Sequence, residues 1–162
     1  MAITGFLKIP DIAGESKASG HEDEIEIHGV SWGAERGDGA AVGAGRRRSK
    51  PEITDLTVLK FYDASSPYLA QAVMQGKSFD EMVFAVRKES GDAHLDYLTI
   101  TMTNCIVTGY HMENGGTDDP LIQISEAVDI GFENINIKYT VQADDHSAGD
   151  EHEIEFDVVA GA

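Results

Sequence analysis

Three long segments of the sequence alternate apolar and polar residues with a period of two. Near the middle of each segment the apolar residues move from the even to the odd positions or the reverse, a parity change. The changes fall at Gly29, between Met102 and Cys105, and between Phe132 and Ile135. Such alternation is typical of strands that bury one face. A parity change arises where a β-bulge inserts one residue or where a run divides into two short strands, and both interpretations remain open. Closed or nearly closed barrels need such bends at their corners.

One segment, about 66–76, has the pattern of a short α-helix. Ser66 is placed to cap its N-terminus, and Pro67 fits the first helical position, where a missing N–H costs no hydrogen bond. Apolar residues follow at helical spacing, and Gly76 suits the left-handed residue that commonly ends a helix. Since all other periodic segments indicate strands, we expect this helix to cover one open side of a β-structure.

The length of 162 residues and the hydrophobic content of 41% suffice for one domain with its own core. The strand signals number about eight or nine. The sequence therefore predicts a single mainly β domain over residues 1–162, a bent antiparallel β-barrel of about eight or nine strands with one short α-helix.

The charge is strongly negative and unevenly distributed along the chain. A net charge of −17 argues against nucleic acid and against anionic membrane surfaces as partners. Acidic residues concentrate in a predicted loop at 143–153, and a glycine-rich loop at 37–50 has no periodicity. The glycine-rich loop carries the one basic cluster of the sequence: Arg46, Arg47, Arg48 and Lys50. Segregated charge of this kind is the pattern expected where unlike surfaces meet.

No catalytic, cofactor or metal site emerges from the motifs. The segment 29–33 reads Gly-Val-Ser-Trp-Gly and matches the G-x-S-x-G nucleophile elbow around Ser31. That elbow needs a helix directly after the serine, and the glycine-rich sequence that follows cannot begin one. The histidines lie among carboxylates without the spacing of a zinc site or an EF-hand. We therefore expect no enzyme, no cofactor and no bound metal.

The single cysteine and the N-terminus indicate where the chain folds. Cys105 lies in a strand-like run and has no partner for an internal disulfide, so we expect a buried, inert thiol and a reducing compartment. The first residues lack the basic and apolar regions of a signal peptide. No apolar stretch reaches the length of a membrane span.

Six segments, taken together and in order, are similar to a known family. They are FLKI at 6–9, GESK at 14–17, SWG at 31–33, DLT at 55–57, FYDASSPYL at 61–69 and EAVDIGF at 126–132. The chain resembles in these segments the Hcp proteins, the tube subunits of bacterial type VI secretion systems. The resemblance extends from about Ile3 to Val141.

The resemblance implies a bent β-barrel that assembles into hexameric rings with a wide lumen. Such rings stack into a tube that a contractile sheath propels. The tube carries a spike protein at its tip and can hold small effector proteins in its lumen. The resemblance also implies that the protein folds in the bacterial cytoplasm. It would leave through the secretion machine without a signal peptide and become extracellular.

A ring of six copies would carry six times a net charge of −17, so repulsion opposes its assembly. We expect Arg46, Arg47, Arg48 and Lys50 to contact carboxylates of a neighbouring subunit or ring. Because exposed ion pairs contribute only about 0–1 kcal/mol each, apolar burial and edge-strand pairing must hold the ring itself. Two alternatives remain: a monomeric or dimeric β-sandwich binding module, for example for carbohydrate, and a small serine hydrolase built on Ser31.

Overall fold

The structure, a computed structural model, describes residues 3–36, 51–90, 93–114, 116, 118–119 and 123–162. These residues form eleven strands and one α-helix. The strands are β1 (Thr4–Lys8), β2 (Ile25–Ile27), β3 (Gly29–Ser31), β4 (Ala34–Arg36), β5 (Pro51–Ile53), β6 (Leu56–Phe61), β7 (Ser78–Ser90), β8 (Ala93–Glu113), β9 (Ser125–Gly131), β10 (Asn134–Gln142) and β11 (Ala148–Asp157). The helix, α1, spans Ser66–Gln75.

Nine of the strands pair in one antiparallel sheet, in the order β2-β1-β7-β8-β9-β6-β3, with β10 and β11 joined to β8 through β10. The strands β4 and β5 form a separate pair. The bent antiparallel β-structure predicted from the sequence is thus confirmed. The strand number exceeds the expected eight or nine because four strands have only three residues each.

The bend lies in β8, the longest strand. Its first half pairs with β10, from Leu98 opposite Tyr139 onwards, and its second half pairs with β9 along the same edge, from Ile106 opposite Gly131. Asn104, between the two halves, has a φ of 52°. This left-handed residue turns the strand, so the sheet divides there into two differently directed parts.

The three parity changes have two different causes. In β8 the strand is continuous and the buried parity switches across Asn104, from Met102 to Cys105. The other two changes are breaks between short strands: β2 ends before His28 and β3 follows it, and β9 and β10 are separated by residues 132–133. The register of β8 against β7 is unbroken across Asn104, so division into separate strands accounts for two of the parity changes and a β-bulge for none of the three.

The core lies between the folded-over parts of the sheet and beneath α1. Its fully buried side chains come from most strands and from the helix: Leu7, Ile25, Leu56, Val58, Leu69, Met82, Phe84, Met102, Val128 and Ile130. Burying each such side chain contributes about 1.5–3 kcal/mol. The helix takes part through Leu69 and Ala72, as the predicted covering role requires. Within the described ranges, no helix is long and apolar enough to cross a membrane.

The C-terminus of α1 agrees with the sequence analysis, and its N-terminus does not. Gly76 adopts a φ of 62°, and the N–H groups of Gly76 and Lys77 donate to the carbonyls of Val73 and Ala72. The capping role predicted for Ser66 is wrong, because the N-cap is Ser65, which makes no side-chain capping hydrogen bond. The Ser66 hydroxyl is instead engaged inside the protein.

Ser66 belongs to a buried polar network centred on Lys60. The Lys60 Nζ lies 2.8 Å from Glu126 Oε1 and donates to Ser66 Oγ at 2.9 Å, while Ser66 Oγ donates to Glu126 Oε1 at 2.7 Å. The side chains of Lys60 and Glu126 are completely buried. The two residues face each other on β6 and β9, so one ion pair joins two strands and the first residue of α1.

The sequence analysis predicts an acidic loop at 143–153, and this prediction is wrong for more than half of the segment. A turn covers only residues 143–147, and β11 begins at Ala148 and pairs with β10 from Gln142 to Asn134. Carboxylates are compatible with this strand because its side chains project into solvent while its backbone is paired. The other predicted loop, 37–50, lies outside the described residues.

Cys105 is buried, with 1% of its surface exposed, as the sequence predicts. Burial raises the pKa of its thiol to about 11. Because the thiolate is the reactive form, the folded protein should keep this cysteine inert.

Replacing Lys60 by Met should lower the free energy of unfolding by about 3–5 kcal/mol, because the buried Glu126 carboxylate loses its charge partner. The double change Lys60→Met, Glu126→Leu should recover most of that loss. Denaturant unfolding measures both variants. A single variant as stable as the wild type, or a double variant no better than the single, would contradict the assigned role of this pair.

Cys105 should not react with a disulfide-exchange reagent such as Ellman's reagent at pH 8 in the folded protein, because little thiolate exists three pH units below its pKa. One equivalent of thiol should react at once when denaturant is added. The absorbance of the released thiolate follows both reactions, and rapid labelling of native protein would refute the inert thiol.

Candidate functional site

Four strands present an exposed face opposite the core. The strands β6, β9 and the second half of β8 pack one side against the core and expose the other, and β3 continues this sheet beside β6. Leu59 and Phe61 project from this outer side and are 42% and 44% exposed, and Ser31 and His111 are also exposed. We call this surface, defined by Ser31, Leu59, Phe61, His111 and Ala127, the four-strand face.

Both lateral edges of the four-strand face are unpaired within the described part of the chain. On one side, β3 pairs with β6 alone. On the other, β8 leaves β7 after Ile106, and its stretch from Gly109 to Glu113 pairs with β9 alone. Free N–H and C=O groups along a strand edge form a template for another strand. The face therefore has a strand acceptor at each end.

A shallow cleft crosses the four-strand face. Its volume is about 220 Å³, and His28, Leu59, His111 and Ala127 are among its lining residues. His28 stacks on Phe61 with ring centroids 4.3 Å apart, and its Nε2 is buried without a hydrogen-bond partner within the described chain. This volume is below that of typical small-molecule pockets. The geometry is that of a contact surface with aromatic and aliphatic groups.

A second polar cluster fixes the segment before β2 against the β7–β8 hairpin. His21 stacks on Phe6 with centroids 4.3 Å apart, its Nδ1 contacts Glu24, and its Nε2 lies 2.8 Å from Asp96 Oδ2. Arg87 Nε donates to the other oxygen of Asp96 at 3.2 Å. His21 and Asp96 are separated by 75 positions in the sequence. No local pattern marks them, so sequence analysis missed the cluster.

The nucleophile-elbow match does not have the required geometry. Ser31 is the last residue of β3 and is exposed, and the chain continues through Trp32 and Gly33 into another strand, β4. A nucleophile elbow places its serine between a strand and a helix. Among the described residues, no group of three or more His, Cys, Asp or Glu side chains is arranged to hold a metal ion.

Arg46, Arg47, Arg48 and Lys50, the predicted contact residues, lie outside the described part of the chain. The structure does describe the residues that flank them. Arg36, the last residue of β4, lies opposite Pro51, the first residue of β5. The two ends of the segment 37–50 are therefore held side by side on a two-stranded stalk, which is separate from the main sheet.

Comparisons with known proteins agree with this fold. The family model described as type VI secretion system effector, Hcp, matches residues 6–139. Protein hcp1 of Pseudomonas aeruginosa is 31% identical over 145 residues, which cover 90% of this chain and 88% of that protein.

Solved structures show the same similarity. A structure of a type six secretion system protein superposes with a TM-score of 0.88 at 24% identity and covers 99% of both chains. Hcp1 from Salmonella typhimurium superposes with a TM-score of 0.77 at 29% identity and covers 99% of this chain and 97% of its own. The chain belongs to the Hcp family of type VI secretion proteins.

Proposed function

We propose that this protein is a structural tube subunit of a type VI secretion system, which forms hexameric rings that stack into the expelled inner tube. The observation that carries the proposal is the four-strand face, which among the described residues ends in an unpaired strand edge on both sides. The membership of this chain in the Hcp family supports the same role.

The two edges suit a head-to-tail contact between copies. The free edge of β3 in one copy could meet the free edge of β8 at Gly109–Glu113 in the next. Each of the two copies would then keep its other edge free for a further copy. A heterologous contact of this kind closes into a ring when the rotation between copies divides a full turn. Closure would satisfy the backbone groups that the monomer leaves exposed. Six copies are what the family resemblance implies.

The position of the core sets which side of the four-strand face would line the lumen. The helix α1 and the core cover one side of these strands through residues such as Leu69 and Val128. The bulk of each subunit then lies outside the ring, and Leu59, Phe61 and His111 face its interior. Small effector proteins carried in the lumen would contact this mixed apolar and imidazole surface.

The same role implies the remaining partners and the route of the protein. A contractile sheath would surround the tube, and a spike protein would sit at its tip. The subunit would fold in the bacterial cytoplasm and become extracellular through the secretion machine. The proposal assigns it no catalytic activity, no cofactor, no nucleic acid and no membrane contact.

Basic residues of the segment 37–50 complete the proposal. The β4–β5 stalk holds both ends of that segment at one point of the surface. We assign Arg46, Arg47, Arg48 and Lys50 to contacts with carboxylates of a neighbouring copy. Such contacts would offset part of the repulsion between chains that each carry a net charge of −17.

The purified protein should have a solution mass of six times 17.5 kDa, or of stacked multiples of six, in light scattering. Val30→Lys places a charge on the free edge of β3 and should shift the population to single chains that stay folded. Met74→Lys, on the exposed side of α1, is the matched control and should leave the mass unchanged. A wild type of one-chain mass, or two variants that both keep the wild-type mass, would refute the edge contact.

The triple change Arg46→Ala, Arg47→Ala, Arg48→Ala should weaken assembly most at low salt, where interactions between exposed charges reach farthest. Sedimentation velocity across a salt series measures the ring and tube populations. The control Lys8→Ala, Lys17→Ala, Lys88→Ala removes three exposed charges elsewhere and should have the smaller effect. Equal populations of the two variants at every salt concentration would exclude a specific role for the arginines.

A further inference from the structure

In the described part of the chain, the last hairpin leaves one strand edge open. Every paired residue of β11 faces β10, from Ala148 to Asp157, and the opposite edge has no partner strand among the described residues. The C-terminal turn reaches only one end of this edge, where the Asp157 N–H donates to the Ala162 carbonyl. Long exposed edges readily accept a further strand, so soluble proteins usually shorten or cover them. At ten residues, of which the first eight are exposed, β11 is not short.

One side of this hairpin carries apolar side chains that extend past the core. Along β10, exposure on this side rises from 2% at Ile135, through the partly buried Ile137, to 45% at Tyr139. Ile154 lies opposite Ile137 on β11 and is 62% exposed. Residues directly opposite each other in an antiparallel pair share one side of the sheet. These side chains therefore form one apolar surface that runs from the core to the open edge.

The other side of β11 carries negative charge at a regular spacing. Glu151, Glu153 and Glu155 stand at every second position and therefore project from the same side. The Lys138 ammonium lies 3.8 Å from Glu151, and the Asn136 amide donates to Glu153 at 2.8 Å. With one ammonium beside three carboxylates in the described part of the chain, this side of the edge stays negative.

The carboxylates decide which strand the edge can take. Two copies of β11 paired antiparallel, edge to edge, would place their carboxylates on the same side of one sheet, and like charges opposite each other destabilise a strand pair. Opposite charges at those positions stabilise it. Among the described strands, none carries two Lys or Arg residues two positions apart. No described strand of a second copy therefore has the complementary pattern.

We propose that the open edge of β11 accepts an extended segment of a partner protein in which basic residues at every second position alternate with apolar residues. Backbone hydrogen bonds to the edge supply the attachment, as in other strand additions. The basic side chains lie against Glu151, Glu153 and Glu155, and the apolar side chains continue the surface of Tyr139 and Ile154. Because successive side chains of a strand point to opposite sides, an alternating sequence meets both sides at once.

This surface is separate from the edges that the proposed ring uses. Four strands lie between β11 and β3 in the hydrogen-bonded order: β10, β8, β9 and β6. The hairpin joins the first half of β8 through β10, whereas the ring contact uses the stretch Gly109–Glu113 in the second half. A ring closed through β3 and β8 does not use the edge of β11. The inference therefore does not rest on the ring, and the mass of the wild type tests the ring alone.

Peptide binding tests the alternating pattern. The probe is a fluorescently labelled peptide of the sequence Arg-Val-Arg-Val-Arg-Val, and fluorescence anisotropy with the 162-residue chain measures its dissociation constant. A peptide of the order Arg-Arg-Arg-Val-Val-Val has the same charge, so it controls for general attraction to a chain of net charge −17. We expect the alternating peptide to bind about tenfold more tightly, since it alone places its charges on one side. Equal affinities would overturn the proposal.

Neutral variants of the carboxylates test the surface. The triple change Glu151→Gln, Glu153→Gln, Glu155→Gln should weaken binding of the alternating peptide about tenfold, because three exposed pairs of small individual effect are lost. All three positions are exposed, so the variant should stay folded, and circular dichroism checks this. An affinity equal to that of the wild type would contradict the assigned contacts.

A matched control separates the surface from the net charge. The triple change Asp80→Asn, Glu81→Gln, Asp118→Asn removes the same charge at exposed positions elsewhere. It should change the affinity by no more than about twofold, because salt screens charges that lie far from the peptide. If both triple changes weaken binding equally, the peptide responds to net charge alone and the proposal fails.

One substitution on the apolar side tests the second half of the contact. Ile154→Ser should weaken binding of the alternating peptide about threefold, because apolar area at the edge is lost. Val159→Ser, at a position that is 69% exposed beyond the end of β11, is the control and should leave the affinity unchanged. Equal affinities of the two variants would overturn the two-sided contact.

Amide hydrogen exchange locates the bound peptide. A strand added to β11 protects backbone N–H groups along its edge, so exchange in residues 148–156 should slow when the alternating peptide is present. Exchange in β3 and in Gly109–Glu113 should stay unchanged. Protection confined to those two edges would place the peptide on the ring contact and would overturn docking at β11.

Discussion

The buried ion pair between Lys60 and Glu126 is the interaction on which the rest of the structure depends. It fixes the register of β6 against β9, and through Ser66 it holds the start of α1 on the same strands. Burial, together with the neighbouring Glu126 carboxylate, also raises the pKa of Tyr110 above its ordinary value. Removing Lys60 would leave the buried Glu126 carboxylate without its charge partner, while Asp63, at 3.1 Å, also contacts the Lys60 ammonium.

This arrangement separates the surfaces that fold the chain from the surfaces that the proposed assembly would use. Apolar burial on one side of the bent sheet supplies the stability of the subunit, and the opposite side of β6 exposes Leu59 and Phe61. The open edges at β3, β8 and β11 contribute nothing to the single chain within the described residues. They would become stabilising when another strand pairs with them, as the proposed ring requires at β3 and β8.

The sequence predicted the class of the fold and the end of the helix, because alternation and the conformational freedom of Gly76 are local properties. The buried network was missed because Lys60 lies between the apolar Leu59 and Phe61, which suggests that the lysine is the exposed residue. The spacing of the sequence held the signal, because Lys60 falls at the same every-second position as Leu56 and Val58. All three side chains project into the core. The extent of β11 was missed because clustered carboxylates are typical of loops, while strand pairing with β10 depends on tertiary contact.

The proposed ring assigns each subunit one orientation. An electron cryo-microscopy reconstruction of the assembled wild-type protein tests it directly, because it places every strand of each copy. We expect six copies with β3 of one beside β8 of the next, Leu59 and Phe61 toward the lumen, and α1 on the outside. A ring in which α1 lines the lumen, or in which the edges of β3 and β8 remain in solvent, would contradict this account.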